Sequence, residues 1–165
     1  MPNITIRYQQ IGDAKRFYEI LNHPDFVLFP AKPGSIEEEK RYLRAGKERK
    51  KKNLEHCFTI LLNGEVAGAV GVKIDQHRTY IGEIGYFVDR KYWGQGVAPQ
   101  AVALLEKICF ETLGLERIEL VTLTQNKGSI RVAEKCGYEK EGVQRHKIVH
   151  EEQWCDALLF AKVNS

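Results

Sequence analysis

The run Tyr92-Trp93-Gly94-Gln95-Gly96-Val97-Ala98-Pro99 sets two glycines two residues apart, just ahead of an apolar stretch with helical spacing. Residues of these types in this order can hold an anion. The first N–H groups of a helix have no partners inside it, and the helix dipole adds partial positive charge at that end. Glycines carry no Cβ, so a phosphate can approach the backbone closely. Pro99 fits the first helical turn, where a missing N–H costs little. An ordinary turn before a helix fits the same letters. No Lys-Ser or Lys-Thr follows the glycines, which excludes a P-loop. The position three after Gly96 is Pro99, which excludes the dinucleotide fingerprint. A second feature is Glu83, set between two glycines in YIGEIGYFV, 80–88, an otherwise uncharged apolar stretch. A half-buried carboxylate there has a raised pKa, which suits a general base. A structural Glu paired with Arg or Lys fits equally well. Other candidate bases are His146, His150, Glu151 or a relayed water.

These residues need elements to place them. Residues 4–8 alternate like a first strand. Asp13 reads as the N-cap of a helix over 14–21. Residues 23–35 hold three of the five prolines and read as an irregular loop. Ser35 with Glu38 reads as a capping box, opening one charged helix towards Lys52. Strands are expected at 57–62 and 66–74, joined by an Asn63-Gly64 hairpin turn. The Glu83 strand covers 80–88. A helix follows from Pro99 to about Leu113, with Ala101, Leu104, Leu105 and Ile108 on one face and Gly114 as its stop. A strand at 117–123, a short helix over 127–136 and two strands near 138–149 and 153–163 complete the chain. Short loops and antiparallel strand pairs around a few helices make an α/β (α+β) domain with one central sheet, spanning 1–165.

Composition narrows the class. The chain has 165 residues, 43% hydrophobic and 28% charged, with a net charge of +3. That suits one domain with a real core, and the charge is too small to argue for nucleic acid. The basic run KERKKK, 47–52, has no interleaved aromatics and reads as a solvated helix end. No apolar run nears the ~20 residues of a membrane span, and MPNITIRYQQ reads as neither signal nor transit peptide, so a cytoplasmic protein is expected. Cys57, Cys109, Cys136 and Cys155 form no CxxC pair. Buried thiols are expected, with no metal site.

The segment GEIGYFVDRKYWGQGVA, 82–98, resembles the acyl-CoA-binding motif of the GNAT superfamily of N-acetyltransferases. Gly96 and Ala98 match its two small positions, while Trp93 departs from the usual Gln or Arg. The Tyr-Trp-Gly-x-Gly form is similar to the ribosomal-protein-alanine N-acetyltransferase branch. NKGSIRVAEKCGYEKEG, 126–142, resembles that branch's Asn-x-x-Ser helix, and WCDALLFAKV its last strand. The resemblance covers nearly the whole chain. It implies a mixed, mostly antiparallel sheet splayed in the middle and flanked by helices. It also implies acetyl-CoA as cosubstrate.

By the same resemblance, the backbone amides of Trp93, Gly94, Gln95, Gly96, Val97 and Ala98 hold the pyrophosphate. The strand backbone at Phe87 and Val88 holds the thioester arm, with the Val88 N–H as oxyanion donor. Asn126 caps the short helix, bonds the pantetheine arm, or both. Ser129 matches the branch's proposed acid for the departing thiolate, and a helix residue bonding its own backbone is its plainer role. Many family members carry a tyrosine where this chain has Ala133. Tyr138 reads as core. The implied activity is direct transfer of acetyl to a primary amine, either a protein N-terminus, such as that of a ribosomal protein, or a small amine: a polyamine, amino acid or antibiotic. Two further readings stand beside it: a non-catalytic acyl-CoA-binding module, favoured by the missing tyrosine, and a nucleic-acid-associated protein using 47–52. A homodimer is common in the family.

Overall fold

A computed structural model describes residues 2–28 and 32–165. Part of the proline-rich loop expected at 23–35 therefore lies outside the described residues. The chain forms β1 (Ile4–Tyr8), α1 (Ala14–Leu21), α2 (Ile36–Arg44), α3 (Gly46–Lys51), β2 (Glu55–Leu62), β3 (Glu65–Ile74), β4 (Ile81–Val88), α4 (Val97–Lys107), β5 (Arg117–Leu123), α5 (Lys127–Lys135), β6 (Glu139–His150) and β7 (Gln153–Val163). Seven strands make one sheet in the order β1-β2-β3-β4-β5-β7-β6. Every pairing is antiparallel except β4 with β5, which run parallel. No helix of the described residues is long and apolar enough to cross a membrane.

Strand alternation sorts the side chains onto two faces. On one face, α4 lays Val97, Ala101, Val102 and Leu105 against Ile60, Val70, Val72 and Ile84. Leu105 is fully buried, and each such side chain contributes about 1.5–3 kcal/mol. On the other face, α1 and α2 set Phe17 and Leu43 against Ala69, with Phe87 beside them. Asn63 (φ 51°) and Gly64 (φ 84°) make the left-handed pair of a two-residue hairpin turn between β2 and β3, as their sequence implies.

Three local expectations change. Asp13 does not cap α1. A 3₁₀ turn, Ile11–Asp13, precedes that helix, and the carboxylate turns back to the sheet. There it meets Arg7 at 2.8 and 2.9 Å, the Thr59 hydroxyl at 2.6 Å and the Gln10 N–H at 2.9 Å. Buried carboxylates need such partners, and here they also hold its pKa below the usual range despite burial. The helix expected from 35 to 52 breaks after Arg44 into α2 and α3. Arg49 reaches back to the Tyr42 carbonyl at 2.9 Å and so satisfies an end of α2. Ser35 does accept from the Glu38 N–H at 3.1 Å, but the Glu38 carboxylate takes the Gly34 N–H at 2.8 Å rather than that of Ser35.

The helix expected from Pro99 begins two residues earlier, at Val97, and its last turn widens to a π-helix over Ile108–Thr112. The basic run is partly engaged. Arg49 pairs with Glu55 at 3.3 Å, and the Lys50 ammonium lies 3.6 Å from the Tyr8 ring centroid. All four cysteines are free, but only Cys109 is fully buried. Cys57, Cys136 and Cys155 are half-buried.

Candidate active site

The site begins where the sheet fails to stay closed. β4 and β5 pair only through Ile81, Gly82 and Glu83. Gly82 in that pair has no room for a side chain, because a Cβ there would meet Val72 Cγ2 at 2.5 Å and Leu115 Cδ1 at 2.8 Å. Beyond Glu83 the strands part. A cleft of about 680 Å³ opens between residues 84–88 of β4 and 120–123 of β5, with the 92–99 loop at its mouth and the start of α5 also lining it. The Asp89 N–H donates to the Ala67 carbonyl on the β3 side at 2.7 Å. Alternation along an antiparallel ladder then turns the N–H and C=O groups of Val88, Tyr86 and Ile84 towards the cleft. The Val88 carbonyl meets the Trp93 indole N–H there at 2.8 Å. On the closed side, a Cβ at Gly68 would collide with the Phe87 carbonyl oxygen, so β3 lies close against the end of β4.

The loop has the features an anion seat needs. Gly94 (φ 74°) and Gly96 (φ 79°) are both left-handed, and Gly96 is the N-cap of α4. Gly94 is therefore as conformationally required as Gly96. The N–H groups of Val97 and Ala98 open α4, and Pro99 has none to leave unpaired. Trp93, Gly94, Gly96, Val97 and Ala98 all line the cleft, as do Phe87, Val88, Asn126 and Ser129. Gln95 does not line it; its side chain folds back onto the Lys91 carbonyl at 3.0 Å. Sequence reasoning passed over Lys127, Arg131 and Lys135, which also line the cleft. Their four-residue spacing on one helix was the available signal.

At the floor of the cleft, Asn126 Oδ1 accepts the Ser129 N–H at 3.1 Å, the cap of α5. Ser129 does not bond back to its own helix. Its Oγ accepts the Tyr86 hydroxyl at 3.1 Å. Burial pushes the Tyr86 phenol up to about 12, so it stays protonated as a donor. Tyr86 is a fourth residue that the sequence reading missed, though alternation from Glu83 already places it on the opposite face of β4. Ala133 is fully buried, which accords with the absence of a hydroxyl from that position.

Glu83 lies elsewhere. With Gly85 and Phe87 it lines a second cavity of about 560 Å³, together with parts of α2, β2 and β3. The structure thus sets Glu83 on one face of β4 and Tyr86, with Ser129 of α5 against it, on the other. The two cavities share residues 84–87. The Glu83 carboxylate is exposed to its cavity, yet the surrounding atoms desolvate it and raise its pKa. Glu119 pushes the same way, and Lys147 and Lys73 oppose it. Of the other candidate bases, His150 lines the first cleft. His146 and Glu151 line neither cavity; His146 stacks on Trp154 and the Glu151 side chain is 80% exposed.

A splayed sheet with a glycine-capped helix at the mouth of the split defines a class of acyltransferase, and the comparisons agree. Residues 3–139 match the acetyltransferase (GNAT) domain family. The chain belongs to that family. A probable N-acetyltransferase of Bacillus subtilis is 32% identical over 133 residues, 79% of this chain and 74% of the relative. The ribosomal-protein-S5-alanine acetyltransferase of Vibrio fischeri shares the fold with TM-score 0.88, at 24% identity, over 98% of this chain and 93% of that one. RimJ of Mycobacterium smegmatis, solved with CoA-disulfide, superposes with TM-score 0.89 at 22% identity, covering 97% and 81%.

Proposed function

We propose that this chain transfers acetyl from acetyl-CoA directly to a primary amine within a ternary complex. The observation that carries the reading is the β4–β5 pair that ends at Glu83. It leaves strand backbone facing a cleft whose mouth is a glycine-capped helix. The residues present suit acetyl-CoA. The Gly94–Ala98 amides and the α5 cations take the phosphates, the apolar cleft takes the arm, and the Val88 N–H faces the thioester carbonyl.

In the reaction, the amine nitrogen attacks the acetyl carbon and the oxyanion forms against the Val88 N–H. The C–S bond breaks and the amine's proton passes to the Glu83 carboxylate, reached from the second cavity through the shared residues 84–87. Ser129 donates a hydrogen bond to the departing thiolate, and the proton taken by Glu83 returns through solvent to give CoA as its free thiol. Because Tyr86 occupies one lone pair of Ser129 Oγ, the serine's own hydrogen is free for that task. The missing tyrosine at Ala133 therefore does not make the chain a bare binding module. Incubation with acetyl-CoA and a panel of amines tests the reading. Amine-dependent release of free thiol is expected, and CoA binding without thiol release from any amine would restore the binding-module alternative.

A further inference from the structure

The peptide unit that follows Val88 is held at both of its polar ends. Its N–H, carried by Asp89, donates to the Ala67 carbonyl at 2.7 Å. Its carbonyl, on Val88, accepts the Trp93 indole N–H at 2.8 Å. The first contact continues the ladder of β3 with β4. The second comes from a loop side chain and lies in the cleft, beyond the last β4–β5 pair, where β5 supplies no donor. Left bare, that carbonyl would present its negative end beside the Val88 N–H.

The indole is itself fixed. The Arg90 guanidinium lies 5.2 Å from the centre of the Trp93 ring, and the Phe26 ring packs against it with centroids 5.3 Å apart. Asp25 anchors Arg90 in turn at 2.6 Å. The 3₁₀ turn Arg90–Tyr92 is capped by Asp89, which accepts the Lys91 N–H at 3.2 Å and the Arg16 guanidinium of α1 at 2.6 Å. Residues of α1 and of the loop after it thus brace a side chain that is 44% exposed. A ring so open adds little to the core. What the bracing fixes is the direction of its one donor, the indole N–H.

We infer that Trp93 is a positioning residue for acetyl transfer: its indole N–H occupies the Val88 carbonyl, which keeps the Val88 N–H aimed at the thioester oxygen and keeps a bare carbonyl from facing the oxyanion. This rests on the acetyl-transfer reading above. In this role the side chain touches neither the acetyl carbon nor the amine. It acts through Val88.

The test separates the donor from the ring. Trp93→Phe keeps a ring and has no N–H, whereas Trp93→Gln has an N–H and no ring. Each full-length variant is assayed with an amine that the wild type acetylates. Trp93→Phe is expected to lose about tenfold in kcat, with the KM for acetyl-CoA within about twofold of wild type. That is less than the ~100-fold or more of deleting an oxyanion donor, because the Val88 N–H itself remains. Trp93→Gln should keep more of kcat than Trp93→Phe. The infrared carbonyl stretch of bound, carbonyl-labelled acetyl-CoA follows the same atoms. Wild type should lower it from its value in free acetyl-CoA, Trp93→Phe should return it part of the way, and Trp93→Gln should hold it nearer wild type. Wild-type kcat in Trp93→Phe overturns the proposal, as does a loss in Trp93→Gln as great as that in Trp93→Phe, or a loss confined to KM or to thermal stability. Failure of the acetyl-transfer reading looks different. A wild type that binds no acetyl-CoA in calorimetry removes that reading and the proposal with it. In a wild type that binds acetyl-CoA but releases no thiol with any amine, the infrared band decides: the positioning of Val88 stands if Trp93→Phe moves the band and falls if it does not.

Discussion

The two faces of β4 carry two different kinds of site. On the Tyr86 face, the cleft is built from strand backbone, helix-start amides and apolar side chains, with one short hydroxyl pair at its floor. On the Glu83 face, the cavity is built from side chains, and most of its charge is carboxylate. One surface suits a long, partly anionic arm, and the other a cation. Their common boundary is residues 84–87, where β5 has left β4 without its partner strand. Because the first site depends on main-chain geometry and the second on side-chain charge, substitutions should separate them.

The largest expected effect strikes the scaffold of the Glu83 face. Asp13→Ala leaves Arg7 and Thr59 without their buried partner, and about 3–5 kcal/mol of stability is expected to vanish in denaturant unfolding. The sign of the pH dependence follows. The folded pKa of Asp13 is lowered, so its contribution is present above the unfolded pKa and is lost as pH falls through the folded one. The variant should lose that acid limb of stability. Next comes Ser129→Ala, with about a 100-fold loss in kcat and little change in acetyl-CoA affinity. Tyr86→Phe, which leaves the serine without its donor, should fall short of that loss. An equal loss of CoA affinity in Ser129→Ala would assign the serine to cofactor binding instead.

The smallest effect tests the loop. Gly94→Leu and Gly96→Leu each force a side chain into a left-handed conformation that costs about 1–2 kcal/mol. Calorimetry should show CoA binding weakened about tenfold by either. Wild-type affinity in Gly94→Leu would exclude that glycine from the anion seat.

The elements that line the cleft between β4 and β5 were legible in the sequence because they are contiguous. The strand, loop and helix start lie within 82–98, and the Asn126–Ser129 cap within four residues, so their order in the chain is their order in space. Element boundaries followed from the same local signals: Asn63-Gly64 at the hairpin, and Gly114 (φ 68°) after the long helix. The second cavity was not legible. Glu38, Glu39, Glu55, Lys73 and Glu83 come from four elements, and only the sheet register and the docking of α2 bring them together. Glu37, Glu38 and Glu39 read as one charged run, although the fold turns Glu37 to solvent and buries Glu39. Asp13 misled for a related reason. Its position before a helix signals a cap, but Arg7 and Thr59, distant or in another strand, offer it stronger partners.

The division of labour across β4 is tested most directly by Glu83→Gln, followed by kcat/KM against pH beside calorimetric CoA affinity. Burial raises the Glu83 pKa, so wild-type activity should fall as pH drops through a value above the usual carboxylate range, when the base becomes protonated. In the variant that limb should disappear and turnover should drop sharply, while CoA affinity stays within about twofold of wild type. An acid limb and turnover unchanged by Glu83→Gln, or a loss confined to CoA affinity, would contradict the account.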